Sequence, residues 1–347
     1  MIFPPTTDGQ ALGLGGAPLG NLFTAIPDAD AAALLAHVIG DGCRTFDTAP
    51  HYGNGRSEHR LGEALRAAGL PRSEFVLSSK SGRLLRADAE TPRDQNAYVD
   101  VMPFAQTFDY SHDGTLRSIE DSLQRLGLAR LDVVYIHDID VATHGAKQPA
   151  VMHDVIHGAI PTLQRLKSEG VIGAYGLGVN DAQVCLDVLA QAELDCLMLA
   201  GRYSLLDQGG LQSLLPLCAA RGTRIALGGV FNSGILATGV RGGSGATTHF
   251  NYAPADADII KRAGAIEDAC EEFDIPLRAA ALQFPLAHPA VEIVMLGARR
   301  REEWDDARRM LRHPIPSAFW QALVTRGLLP AEAPLPQAKQ QQAKEPQ

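Results

Sequence analysis

Residues 46–65 read FDTAPHYGNGRSEHRLGEAL, a strand end, a loop and a helix start in one short stretch. Asp47 lies near the end of the strand candidate Arg44–Thr48, Tyr52 falls in the loop beyond, and the helical pattern Ser57–Ala68 follows. Working outward, the same alternation runs almost from end to end. Short segments, most of them rich in Val, Ile, Leu or Phe, predict strands at Leu12–Ala17, Arg44–Thr48, Phe75–Lys80, Leu131–His137, Ile172–Val179, Asp195–Ala200, Arg224–Gly229 and Glu292–Gly297. Several are apolar throughout, as strands buried on both faces require. Helical patterns lie between them at Asp28–Gly40, Ser57–Ala68, Asp113–Leu126, Met152–Glu169, Asp181–Gln191, Leu211–Arg221 and Ala257–Phe273. Two more, Leu277–Ala287 and Arg301–Leu311, flank the eighth strand. Ser111 or Asp113, and Asn180 or Asp181, offer N-caps, while Gly127, Gly170 and Gly222 sit just past helix ends. Strands alternating with helices, without a break in composition, predict a single α/β domain over residues 1–330, a closed (β/α)8 (TIM) barrel.

Two segments depart from the alternation. Ser81–Tyr110 is weakly periodic and reads as a long loop over the C-terminal mouth, a candidate substrate lid. The tail AEAPLPQAKQQQAKEPQ, residues 331–347, has no apolar face to bury and is expected to be disordered.

Composition narrows the class. The chain of 347 residues is 46% apolar, enough for a sizeable core. Lys and Arg number 31 against 40 Asp and Glu, a net charge of −9 with no long basic run. A nucleic-acid or anionic-membrane surface is not expected from that balance. Five cysteines, at 43, 185, 196, 218 and 270, form no Cys-x-x-Cys pair and are expected to be reduced, buried thiols. The N-terminus MIFPPTTDGQ lacks a basic, then apolar, leader, and no run approaches the ~20 apolar residues of a membrane span. The expectation is a cytoplasmic protein that binds a small molecule.

Lys80 ends the strand FVLSSK and His137 ends LDVVYIH. Three strand ends and one adjoining loop therefore deliver Asp47, Tyr52, Lys80 and His137 to one barrel mouth, where active sites of this fold gather. Singly, each has a plain structural reading. Asp47 caps a loop, Tyr52 packs beside glycine, Lys80 is a solvated strand end and His137 a hydrogen-bonded core histidine. Together they point to catalysis. A metal site from His51, His137 and Asp138 is the other functional option, although their spacing is unlike compact ligand motifs, and no metal is expected.

In order and context, Asp47, Tyr52, Lys80 and His137 resemble the catalytic tetrad of the aldo-keto reductase family, and the resemblance runs over about residues 10–310. TAPHYG (48–53), AGRYSLLDQ (200–208) and GGVFNSGIL (228–236) resemble its bacterial branch of L-fucose, D-threo-aldose 1- and pyridoxal 4-dehydrogenases. The chemistry is consistent. A phenol with a pKa of about 10 is a poor base near neutrality, an ammonium beside it favours the phenolate, and a carboxylate keeps that ammonium charged. Tyr52 is thus assigned as acid/base, Lys80 as its activator, Asp47 as the partner of Lys80, and His137 as the residue that holds the substrate oxygen by a hydrogen bond. His51 is a further substrate candidate.

The resemblance implies a nicotinamide cofactor. Asn180, ending GLGVN (176–180), matches a contact to the carboxamide and is equally an N-cap. Ala200 stands where the family commonly has glutamine, so Arg202 or Tyr203 reshapes that wall. Leu227 occupies the usual place of a stacking ring, and Phe231 either substitutes for it or is core. In VMLGARRREEWDDA (294–307), the backbone of Gly297, Ala298 and Arg299 matches a phosphate contact, and Glu303 and Asp306 match adenosine contacts. The cations that commonly meet a 2′-phosphate are missing at Gly297 and Glu303, which favours NAD, while Arg299, Arg300 and Arg301 keep NADP open. The expected activity is oxidation of the anomeric hydroxyl of an aldose of the L-fucose or D-threo type to its aldonolactone. Pyridoxal 4-dehydrogenase activity, NADPH-dependent reduction of aldehydes or ketones, and a cofactor-binding regulatory subunit are the alternatives.

Overall fold

Eight parallel strands close on themselves in the computed structural model, which describes residues 1–241, 248–251 and 253–337. They are β1 (Leu12–Gly15), β2 (Thr45–Asp47), β3 (Val76–Ser81), β4 (Leu131–His137), β5 (Ile172–Val179), β6 (Cys196–Ala200), β7 (Arg224–Gly228) and β8 (Val291–Gly297). Each pairs with the next, and β8 returns to β1 through Leu12↔Val294 and Gly15↔Gly297. This is the (β/α)8 barrel expected from the alternation. Every residue of β4 is buried, which is why apolar residues fill most of the run. The lumen is filled by Val133, Tyr135, Ala174, Cys196, Met198, Ala226, Ile293 and Met295, with Phe3 in the same cluster. A packed core of this kind leaves chemistry to the rim.

The surrounding helices are α1 (Asp28–Gly40), α2 (Arg56–Ala67), α3 (His112–Leu126), α4 (Ile160–Ser168), α5 (Ala182–Leu189), α6 (Leu214–Arg221), α7 (Ala257–Glu272) and α8 (Arg301–Arg312). Of the paired cap candidates, Ser111 accepts from the Gly114 amide, and Asp181 accepts from those of Gln183 and Val184. Gly127 and Gly222 take left-handed conformations at the ends of α3 and α6. The helix expected over Met152–Glu169 is present as one unbroken helical run, in which a wide π turn at Val155–Ala159 joins Gln148–Asp154 to α4. Gly158 on that turn lies against the backbone of Tyr110 and Ser111.

The long loop expected at Ser81–Tyr110 needs correcting. Ser81 belongs to β3, and an antiparallel hairpin pairs Arg83–Ala87 with Phe104–Phe108. Both strands are half-exposed and then exposed along their length, so neither carries the clean apolar face that would betray a strand. At the C-terminus, Ala333 is buried and Leu335 packs on the core, so ordered chain continues past Pro330. Most of the tail expected to be disordered, 338–347, lies outside the described residues, as do 242–247 and 252. All five cysteines are free and buried. Among the described residues no helix is long and apolar enough to cross a membrane.

Candidate active site

Asp47 is the last residue of β2 and pairs in register with Ser78 of β3, two residues before Lys80. Alternation along β3 puts Ser78 and Lys80 on one face, toward Asp47. Lys80 Nζ donates to Asp47 Oδ1 at 2.8 Å, to Oδ2 at 2.7 Å and to the Thr48 carbonyl at 2.8 Å. Ser78 Oγ donates to Asp47 Oδ1 at 2.6 Å. The Lys80 and Asp47 side chains are only 2% and 3% exposed, so neither charge would be tolerable without the other. The ammonium stands 4.8 Å from the centroid of the Tyr52 ring.

Tyr52 is held by the turn after β1. A Cβ placed on Gly20 would come 2.4 Å from the Tyr52 carbonyl carbon and 2.7 Å from the Gly53 nitrogen, so the two loops meet only because residue 20 is glycine. The motif beyond Tyr52 fastens the same loop. Ser57 Oγ donates to the Gly16 carbonyl at 2.7 Å, and Thr48 donates to Ser57 at 2.8 Å. Glu58, fully buried, accepts from Ser79 at 2.7 Å and from Arg125.

His137 closes β4 with its ring centroid 6.2 Å from that of Tyr52 and 6.0 Å from that of His51. Tyr98, carried on the chain between the hairpin strands, stacks on Tyr52 at 6.0 Å and meets His51 edge-on at 5.2 Å. Burial holds His137 well below the ordinary imidazole range, and burial, aided by the charge of Arg83, pushes His51 down to about 4. Both rings are therefore neutral near pH 7. His137 Nδ1 is buried without a partner among the described residues.

The hairpin ties these groups together. Arg83 Nη2 reaches Asp138 Oδ2 at 2.6 Å, and Arg83 Nη1 reaches Gln106 Oε1 at 2.9 Å. Gln106 Oε1 also meets His51 Nδ1 at 3.0 Å, and Gln106 Nε2 donates to Asn54 Oδ1 at 2.6 Å. Burial works against the Asp138 carboxylate, but the Arg83 guanidinium that donates to it holds its pKa below the usual carboxylate range. Asp138 has a φ of +50°, a strained position for a non-glycine residue at the end of the His137 strand. The Tyr110 hydroxyl, 2.8 Å from the His137 carbonyl, and His144 Nε2, 2.8 Å from the Asp138 carbonyl, hold that backbone from outside.

A hollow of about 560 Å³ opens beside this cluster at the ends of β5, β6 and β7, lined by Asp138, Asn180, Ala200, Gly201, Arg202 and Gly229, among others. Its small-residue floor leaves room for a flat ring. Since Asp181 takes the capping role, the Asn180 side chain is left without a partner among the described residues, which suits a carboxamide contact. Arg202 Nε donates to the Asn180 carbonyl at 2.6 Å, and its Nη1 pairs with Asp207 at 2.7 Å. Arg202 therefore shapes this wall, whereas Tyr203 is buried against Phe284. Phe231 packs against the core and does not line the hollow.

The remaining candidates stand apart from it. Arg299 and Glu303 line a second hollow of about 550 Å³ between the start of α8 and residues 24–27. Gly297 ends β8 against Pro18, and Ala298 is buried. Glu303 Oε2 accepts from the Arg299 amide at 2.8 Å, so this helix start is closed by its own carboxylate. Asp306 faces Arg278, at 2.7 Å, and also pairs with Arg309. The metal option finds no support in placement: among the described residues no three His, Cys, Asp or Glu side chains converge as ligands.

Sequence reasoning missed Tyr98, Arg83, Gln106 and Asn54. Of these, only Asn54 lay inside a motif that could have flagged it, GNGRSE. With Asp47, Lys80, Tyr52 and His137 at one mouth, likeness to known proteins becomes informative. A curated relative, pyridoxal 4-dehydrogenase of Microbacterium luteolum, is 42% identical, covering 92% of this chain and 94% of its own. D-threo-aldose 1-dehydrogenase of a Pseudomonas species is 36% identical over the same shares. Among solved structures, an aldo-keto reductase from Bacillus halodurans in its holo form superposes with a TM-score of 0.69 at 22% identity, covering 92% and 91% of the two chains. The profile of the Aldo/keto reductase family matches residues 11–325. The chain belongs to the aldo/keto reductase family, and is thus an oxidoreductase of the kind that works with a nicotinamide cofactor.

Proposed function

We propose that this protein is a nicotinamide-dependent dehydrogenase of cyclic hemiacetals, with an aldose of the L-fucose or D-threo type as substrate and the aldonolactone as product. The observation that carries the reading is the buried Lys80–Asp47 pair, at 2.7 Å, beneath the ring of Tyr52. Such a pair keeps a fixed positive charge beside a phenol, which lowers the cost of the phenolate. Tyr52 then takes the proton of the C1 hydroxyl as the C1–H bond gives up its electron pair and a carbonyl forms. The cofactor, when bound, supplies the acceptor for that hydride. His137, kept neutral by burial, offers a ring N–H to the substrate oxygen and holds C1 in line. A hemiacetal needs no captured water for this oxidation, because its C1 hydroxyl already behaves as a secondary alcohol.

NAD is the preferred cofactor in this reading. Asn180 holds the carboxamide, and the helix start at Gly297, Ala298 and Arg299 faces the adenosine end. Glu303, which closes that helix start, opposes a 2′-phosphate. The 42% identity to a pyridoxal 4-dehydrogenase favours a second reading on the same chemistry, since pyridoxal also closes to a hemiacetal.

The test is growth of the reduced-nicotinamide absorbance with purified protein, NAD or NADP, and a panel of L-fucose, D-arabinose, other aldoses and pyridoxal. Turnover of an aldose with NAD supports the first reading, and pyridoxal alone the second. Activity confined to NADPH and simple aldehydes would sink both.

A further inference from the structure

The geometry points to His51 as the residue that selects the substrate: its Nε2 accepts a hydrogen bond from a hydroxyl on the carbon next to the one that gives up hydride. This rests on the dehydrogenase reading above, but not on the substrate being a sugar.

The polarity of the network around His51 has one consistent solution. Asn54 is fully buried, and its Nδ2 donates to the carbonyls of Phe104 at 2.6 Å and Met102 at 3.2 Å. Turning that amide over would set its oxygen against two carbonyls, so Asn54 Oδ1 must face Gln106 and accept from Gln106 Nε2. Gln106 then turns Oε1 toward Arg83 and His51. Arg83, which has only donors, demands the same orientation. An amide oxygen cannot donate, so the proton between Gln106 and His51 sits on His51 Nδ1.

A neutral imidazole has one N–H, and here it is spent on Gln106. His51 is neutral because burial and Arg83 disfavour its charged form. Nε2 is left with a lone pair, and no described residue meets it. The ring lies 6.3 Å from that of Tyr52 and 6.0 Å from that of His137, the two groups assigned to the reacting oxygen. A hydroxyl on the neighbouring carbon comes within reach of the same ring. A mobile histidine would serve donors and acceptors alike, whereas this one is fixed as an acceptor. It favours a hydroxyl and gains nothing from hydrogen or fluorine at that carbon.

The experiment compares kcat/KM for an aldose, its 2-deoxy analogue and its 2-deoxy-2-fluoro analogue in the wild type and in His51→Phe. In the reducing direction, lactaldehyde against propanal carries the same difference without a sugar. Intrinsic reactivity cancels when the ratio within a pair is compared between the two proteins. The wild-type preference for the hydroxyl-bearing member should exceed that of His51→Phe roughly tenfold, the scale of one lost hydrogen bond, with fluorine behaving as hydrogen does. An equal ratio in both proteins overturns the proposal and leaves the sugar reading intact. A lactaldehyde ratio that depends on His51 while no aldose turns over overturns the sugar reading alone. Nitrogen-15 spectra of the unliganded protein give a readout independent of activity and of how the variant folds. They should show His51 protonated at Nδ1 and bare at Nε2, with Gln106→Leu mixing the two forms. A protonated Nε2 in the wild type overturns the proposal.

Discussion

The half of the barrel mouth built by β2, β3, β4 and the hairpin contrasts with the half built by β5 to β8. In the first, charged and polar side chains are buried or half-buried and answer one another: Lys80 with Asp47, Arg83 with Asp138, Gln106 with His51 and Asn54. In the second, Ala200, Gly201 and Gly229 frame an open hollow beside Asn180, whose side chain has no partner among the described residues. Groups that move a proton must be aimed before the substrate arrives, because their orientation cannot be afforded during the reaction. A wall that receives a bound molecule needs room and a few contacts, and the guest completes it.

If that contrast holds, the two halves should respond differently to substitution. Tyr52→Phe should lower kcat about a thousandfold while the cofactor dissociation constant, measured by fluorescence titration, stays within about twofold. Retention of most activity would remove Tyr52 from its role and break the contrast at its strongest point. Lys80→Met leaves Asp47 buried and unpaired, and should cost about 3–5 kcal/mol in denaturant unfolding. Adding Asp47→Asn should return part of that stability but none of the activity, separating the structural work of the pair from its chemistry.

Acid supplies a third probe. The folded pKa of His51, about 4, lies below its ordinary 6.5, so the unfolded chain takes up the proton first as pH falls. The stability due to neutral His51 is complete above pH 6.5 and is lost toward pH 4, by up to about 3 kcal/mol. His51→Phe should flatten the stability profile across that window, and an unchanged slope would place the acid sensitivity elsewhere. The smallest effect belongs to the open half. Glu303→Gln should raise kcat/KM for NADP relative to NAD by about tenfold, with little change in melting temperature.

The two halves also differed in how far they could be read in advance. Lys80 and His137 end strands rich in apolar residues, and Asp47 ends the short strand between two helical patterns, so their convergence follows from the barrel alone. The hairpin did not announce itself, because Arg83–Ala87 and Phe104–Phe108 stand at the mouth with neither face fully buried. Nor could Gln106 or Tyr98 be singled out, since their partners lie 55 and 46 residues away in sequence. Asn180 and Asp181 are both good caps, and only the backbone shows that Asp181 is used. Phe231 could stack or pack by chemistry alone, and it packs. The adenosine end was least readable, because surface arginines such as Arg299 and Arg300 read alike whether they greet a phosphate or their neighbour Glu303.

The close approach at Gly20 has a consequence for how this scaffold can be altered. Because the main chain there touches the main chain of Tyr52 and Gly53, the smallest added side chain would displace Tyr52, the proposed acid/base residue. Libraries aimed at new substrates can vary the outer face of the hairpin freely, but the turn after β1 is a fixed seat. An engineered loop graft that lengthens that turn would unseat the phenol before it changed the pocket.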